Sequence, residues 1–131
     1  MRSLARESVY KYLFSRLFNP DDEGLFDVLL NELNEDDKNF ARQLLSYVES
    51  GWDKYVEIID RLSQGYQLDR IILIDKCALV MGMAEMDNFE NTPLPVIIDE
   101  TVTITAKYST ERSSDFVNGI LSTYNKEKQN G

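Results

Sequence analysis

The sequence predicts an all-α domain, and three observations predict it. Apolar residues recur at three- and four-residue spacings along most of the 131 residues. Short breaks rich in Asn, Asp, Ser, Gly or Pro separate the periodic stretches. Only one stretch carries strand chemistry, and it has no second stretch to pair with.

Residues 3–18 read as the first helix, with Val9, Tyr12, Leu13, Arg16 and Leu17 on one stripe. Asn19-Pro20-Asp21-Asp22 stops it. Asp22 is placed to cap a short helix carrying Leu25, Phe26, Leu29 and Leu30. Asn34-Glu35-Asp36-Asp37 then opens a third helix, its acids at the positive end, with Phe40, Leu44, Leu45 and Val48 on the stripe. Glu49-Ser50-Gly51 is expected to break or bend the chain before Trp52, Tyr55, Val56, Ile59 and Leu62 resume the spacing, and Gly65 ends that element.

Residues 67–87 are apolar on every side. Leu68, Ile71, Ile72, Leu79 and Met86 line one face, and Leu73, Ile74, Val80 and Met81 lie on others, which marks a buried central helix. Thr92-Pro93 supplies an N-cap and a first-position proline, and Pro95 is harmless in the first turn. Residues 96–107 are in conflict. Eight of the twelve are β-branched, and Val96, Ile98, Val102 and Ile104 alternate like a strand. The proline start, with Ile97, Ile98, Thr101, Val102 and Thr105, fits a helix, and a lone strand would leave its ladder groups unpaired, so a helix is expected. Ser113 is placed to cap the last helix, with Val117, Ile120, Leu121 and Tyr124 on its stripe, and residues 125–131 read as a frayed tail. The expectation is a single domain over residues 1–131 with about seven helices.

Composition excludes several functions. There is no histidine and one cysteine, Cys77, so Ser-His-Asp and Cys-His catalysis, His-ligated zinc and an internal disulfide all fall away. No Gly-rich phosphate loop occurs, so no nucleotide cofactor is expected. The acid clusters Asp21-Asp22-Glu23 and Glu35-Asp36-Asp37 stand at helix starts and lack the spacing of a calcium loop, so no metal site is expected either. No apolar run reaches the length of a membrane span, and the amino terminus does not read as a signal peptide. A reduced, cytoplasmic protein is expected. The net charge is −9, but residues 1–20 hold Arg2, Arg6, Lys11 and Arg16 against Glu7 alone. A polyanion would therefore be met there, if anywhere.

Three features stand out. Arg2 and Arg6 are one turn apart on the side that becomes Val9 and Leu13, so an apolar stripe turns basic and is expected to offer two free guanidiniums to phosphates. Asp75 sits on the apolar side of the central helix and must either be paired, by Arg70 or Lys76, or face a partner. Gly119, inside the last helix, suggests a close backbone approach.

Phe116-Val117-Asn118-Gly119-Ile120-Leu121 resembles a signature of the NusB family of transcription antitermination factors. Ala5-Arg6-Glu7 with Leu13-Phe14 resembles the family's opening, Pro93 through Asp99-Glu100 a later segment, and Asp69-Arg70, Ile74-Asp75-Lys76 and Glu85 fall in register between them. The resemblance implies an all-α fold and a non-enzymatic role without cofactor. It implies pairing with NusE, a small-subunit ribosomal protein, and binding of boxA RNA in nascent ribosomal RNA leaders. Within the RNA polymerase antitermination complex, this supports read-through of terminators. By the same resemblance Arg2, Arg6 and Phe116 would meet RNA, Phe14 and Asp75 would face NusE, and Asn118 and Gly119 would organise helix packing. Homodimerisation stays open. The basic surface is thinner than the family pattern, because only Arg2 precedes Ala5-Arg6, Asp115 precedes Phe116, and Val80 follows Leu79. The alternative is accordingly a NusB-like protein-interaction module with weakened RNA binding.

Overall fold

The computed structural model describes residues 2–21, 24–65 and 72–130. Among them the chain forms six α-helices and one short 3-10 turn, with no strand: α1 (Ser3–Phe18), α2 (Leu25–Leu30), α3 (Glu35–Leu62), the 3-10 turn Ser63–Gly65, α4 (Leu73–Asn88), α5 (Leu94–Tyr108) and α6 (Glu111–Asn130). None of the described helices is long and apolar enough to cross a membrane.

α4 is the axis of the domain. It packs against α1, α3, α5 and α6, and every residue from Cys77 to Met86 is buried. Its neighbours come close at Gly82, where a Cβ would stand 3.1 Å from Leu121 Cδ1 and 3.1 Å from Thr101 Oγ1. α4 therefore meets α5 and α6 at near-backbone distance. The helix begins at Leu73, which puts Asp75 in its first turn rather than midway along it. The expected positions Leu68 and Ile71 lie outside the described residues.

α3 differs most from expectation. It runs unbroken through Gly51 for 28 residues. The glycine serves packing, because a Cβ there would lie 2.5 Å from Cε2 of the Tyr55 ring. Asn34 caps the helix, accepting the Asp37 N–H at 2.8 Å, and Glu35, Asp36 and Asp37 occupy the positive first turn. α2 starts after Gly24, and the expected cap Asp22 lies outside the described residues.

Residues 96–107 are helical. The strand-like alternation is not what the fold buries: Val96 is exposed, whereas Ile97, Ile98, Thr101, Ile104 and Thr105 form one buried helical face. The threonine hydroxyls do not compete with the helix, because Thr101 donates to the Ile97 carbonyl at 2.8 Å and Thr105 to the Thr101 carbonyl at 2.9 Å. Two caps shift from expectation. Pro93, not Thr92, is the residue before α5. α6 starts at Glu111, and Thr110 Oγ1 accepts the Ser113 N–H at 3.0 Å, so Ser113 is inside the helix. The expected frayed tail is helical to Asn130. Arg61 of α3 grips Glu127 through two hydrogen bonds of 2.8 and 2.9 Å, which holds that end down.

Two acidic hubs tie the helices together. Asp87 of α4 accepts Tyr55 of α3 at 2.7 Å, Tyr124 of α6 at 2.9 Å and Lys128 of α6 at 2.6 Å. Glu7 of α1 accepts Lys107 at 2.8 Å and also Tyr108, both at the end of α5. Burial by itself would raise both carboxyls. The hydrogen bonds from Lys128, Tyr55 and Tyr124 outweigh it at Asp87, and those from Lys107 and Tyr108 outweigh it at Glu7, so both sit below their ordinary 3.8 and 4.5.

A carboxyl whose folded pKa is lowered contributes stability that is complete above its unfolded pKa and is lost as pH falls through its folded pKa. Thermal melts followed by circular dichroism should thus hold steady down to about pH 5 and fall steeply below about pH 4. Asp87→Asn should lower the melting temperature at neutral pH and soften the acid-side fall. An unaltered acid-side slope in that variant would exclude Asp87 as a source of the pH dependence.

Candidate nucleic-acid interface

α1 is short of acids in its first turn and opens on Arg2, with Arg6 one turn later. The two arginines have different fates. Arg6 is 4% exposed, and its guanidinium forms a two-pronged pair with Glu85 of α4, Nε to Oε1 at 2.7 Å and Nη2 to Oε2 at 2.6 Å. Its third nitrogen lies 3.7 Å from Glu100 of α5, which also accepts the Ser3 hydroxyl at 2.8 Å. The expectation of two free guanidiniums therefore fails for Arg6. The stripe it shares with Val9 does face the core, and the core holds a carboxylate. Glu85 is 1% exposed in an otherwise apolar run, and such a charge requires a counter-ion. That lone acid between Ala84 and Met86 was the signal in the sequence.

Arg2 remains exposed. Its guanidinium carbon lies 4.4 Å from the centroid of the Phe40 ring, which Arg6 approaches at 5.4 Å from its own side. Phe40 packs on Phe89 at 4.9 Å, and Phe89 meets Tyr47 edge-on at 5.7 Å. The Arg6–Glu85 pair thus anchors the start of α1, and the ring of Phe40 carries Arg2 at the surface. Sequence reasoning missed this aromatic run, whose members come from α3 and from the segment after α4.

The other expected site residues fall as follows. Phe116 is a core residue of α6, 7% exposed. Phe14 is half-buried and packs edge-on against Phe18 at 5.1 Å; Phe18 and Leu17 are exposed, so the end of α1 presents an apolar patch. Asp75 does not face solvent. It is 3% exposed and accepts Ser113 Oγ at 2.7 Å and Ser109 Oγ at 3.1 Å. Its described partners are hydroxyls, not Lys76, and Arg70 lies outside the described residues. The cap of α6 slides to Thr110, which leaves the Ser113 hydroxyl available for Asp75. Cys77 is buried, and burial pushes its thiol up to about 12, so it carries no thiolate at neutral pH.

Comparison with known proteins accords with this geometry. The sequence profile of the NusB family matches residues 1–126. The transcription antitermination protein NusB of Natranaerobius thermophilus is 34% identical over 126 residues, which span 92% of this chain and 91% of that protein. Among solved structures, NusB of T. maritima superposes with a TM-score of 0.87 at 29% identity, over 97% of this chain and 92% of that one. A crystal structure of the antitermination factors NusB and NusE in complex with double-stranded RNA matches with a TM-score of 0.83 at 25% identity, over 96% of each chain.

The Arg6–Glu85 pair makes a direct prediction. Arg6→Ala leaves a buried carboxylate without a counter-ion and should cost about 3–5 kcal/mol in urea unfolding. Replacing both residues by methionine should recover most of that loss, because the charge and its partner leave together. A cost below about 1 kcal/mol for Arg6→Ala would mean that the pair does not hold α1 in place.

Proposed function

The chain belongs to the NusB family, and from that premise we propose that it is a transcription antitermination factor. In this reading it binds boxA-type RNA together with NusE and supports read-through of ribosomal RNA operons by RNA polymerase. It acts in the cytoplasm by binding and assembly, not by catalysis. The observation that carries the reading is the similarity, over nearly the whole chain, to a NusB that is paired with NusE and RNA, joined to an exposed Arg2 at an anchored helix start.

Within that function the roles are divided. Arg2 is the phosphate contact of α1. Arg6 is a positioning residue, since its guanidinium is spent on Glu85 and Glu100. Phe116 supports the RNA face from within the core. Phe14 contributes to NusE binding through the apolar patch it shares with Leu17 and Phe18. Asp75 helps by joining the starts of α4 and α6 through Ser113. The second reading, an interaction module with weakened RNA binding, is favoured by the burial of Arg6, which removes one cation from an already thin basic surface. Homodimerisation is compatible with both.

A titration separates the two. With so few free cations, the log–log salt dependence of binding to single-stranded boxA-type RNA should be shallow, about −1 to −2. Arg2→Ala should weaken binding and flatten that slope by about 0.7. Fluorescence anisotropy at several salt concentrations, with and without NusE, measures both. Unchanged affinity and slope in Arg2→Ala would remove α1 from the RNA contact, and wild-type binding to NusE alone would favour the interaction module.

A further inference from the structure

We propose that the hollow between α3 and the loop joining α4 to α5 receives unpaired RNA bases and supplies sequence preference. The proposal rests on the RNA-binding reading above and assigns a second surface to it. Arg2, Gln43, Asp87, Asn88, Phe89, Glu90 and Asn91 line the hollow. Three of the seven are side-chain amides and two are carboxylates. A planar amide carries a donor and an acceptor side by side, which suits two adjacent atoms on one base edge. The Nδ2 of Asn88 is committed to the Ala84 carbonyl at 2.8 Å, so Gln43 and Asn91 carry the recognition.

The floor suits bases too. Single-stranded RNA is read by splaying bases onto aromatic rings and guanidinium planes. Here Arg2 and the half-buried Phe89 line the hollow, backed by the buried Phe40 at 4.4 and 4.9 Å, and the exposed Tyr47 meets Phe89 at 5.7 Å. Gln43 and Arg2 also line the adjoining hollow with Asn34 and Asn39, so the amide-rich surface continues past Arg2.

Charge sets the orientation of the strand. Glu90 in the hollow, and Asp36 in its neighbour, repel phosphate but accept hydrogen bonds from base amino groups. The carboxylate of Asp87 is already engaged by Lys128 at 2.6 Å and lies 3.6 Å from Lys54. Lys54 and Lys128 are thus spent on Asp87, and Arg2 is the cation that lines both hollows. Phosphate is held at Arg2, and the bases point toward the amides and acids.

The test uses the full chain with NusE, and anisotropy with labelled boxA-type RNA and a scrambled RNA of the same length and composition. The double variant Gln43→Ala with Asn91→Ala should reduce the boxA-to-scrambled affinity ratio by between about fivefold and about a hundredfold, with the salt slope and melting temperature unchanged. Asn91→Ala alone, on an exposed loop, should give part of the same loss. A preserved ratio, a parallel weakening for both RNAs, or a loss confined to NusE binding would each overturn the proposal. If the wild type shows no preference for boxA-type RNA, the RNA-binding reading fails and this proposal fails with it. A wild-type preference that the double variant retains overturns only the hollow.

Discussion

A carboxylate inside the most apolar helix governs the architecture around it. α4 is enclosed by four other helices, and nothing in its buried run from Cys77 to Met86 can be solvated. Glu85 sits there, so the fold must deliver a cation to it, and α1 delivers Arg6. The guanidinium satisfies both carboxylate oxygens at once, a geometry that lysine could not reproduce. The pair fixes where α1 crosses α4, and Glu100 extends the same tether to α5. The hydrophobic effect drives these helices together without preferring one register. The buried ions add that preference, because any sliding of α1 would strand a charge.

The rest of the bundle repeats the device at lower cost. Asp75 is met by two hydroxyls from the α5–α6 junction, Asp87 by two tyrosines and a lysine, and Glu7 by the last turn of α5. In each case an acid on one helix is satisfied by donors from another, so polar contacts and helix packing agree. The two glycines at close approaches, Gly51 and Gly82, let rings and aliphatic side chains close over the backbone.

This division of labour bears on function. A protein with net charge −9 attracts RNA only over a small surface, and one of its two leading arginines is needed inside. Affinity then depends on a partner and on contacts other than phosphate. The amide-rich hollow beside Arg2 and the apolar end of α1 are where such contacts are available.

The sequence by itself determined the all-α class, most helix bodies and the centrality of α4, because helical periodicity and all-round apolarity are local properties of the chain. The family was equally legible, since Phe116 to Leu121 and Ala5-Arg6-Glu7 form contiguous motifs. Tertiary structure decided which side chains are available. Arg2 and Arg6 look alike on a helical stripe, yet one meets solvent and the other meets Glu85, 79 positions away. Asp75 was ambiguous until Ser109 arrived from just past α5 and Ser113 from the first turn of α6. Tyr55 of the unbroken α3 is held by Asp87, 32 positions on, and the helical end of α6 by Arg61 meeting Glu127, 66 positions away. Each of these outcomes is a contact between residues far apart in the chain, and local spacing carries no information about which distant partner will satisfy a charge.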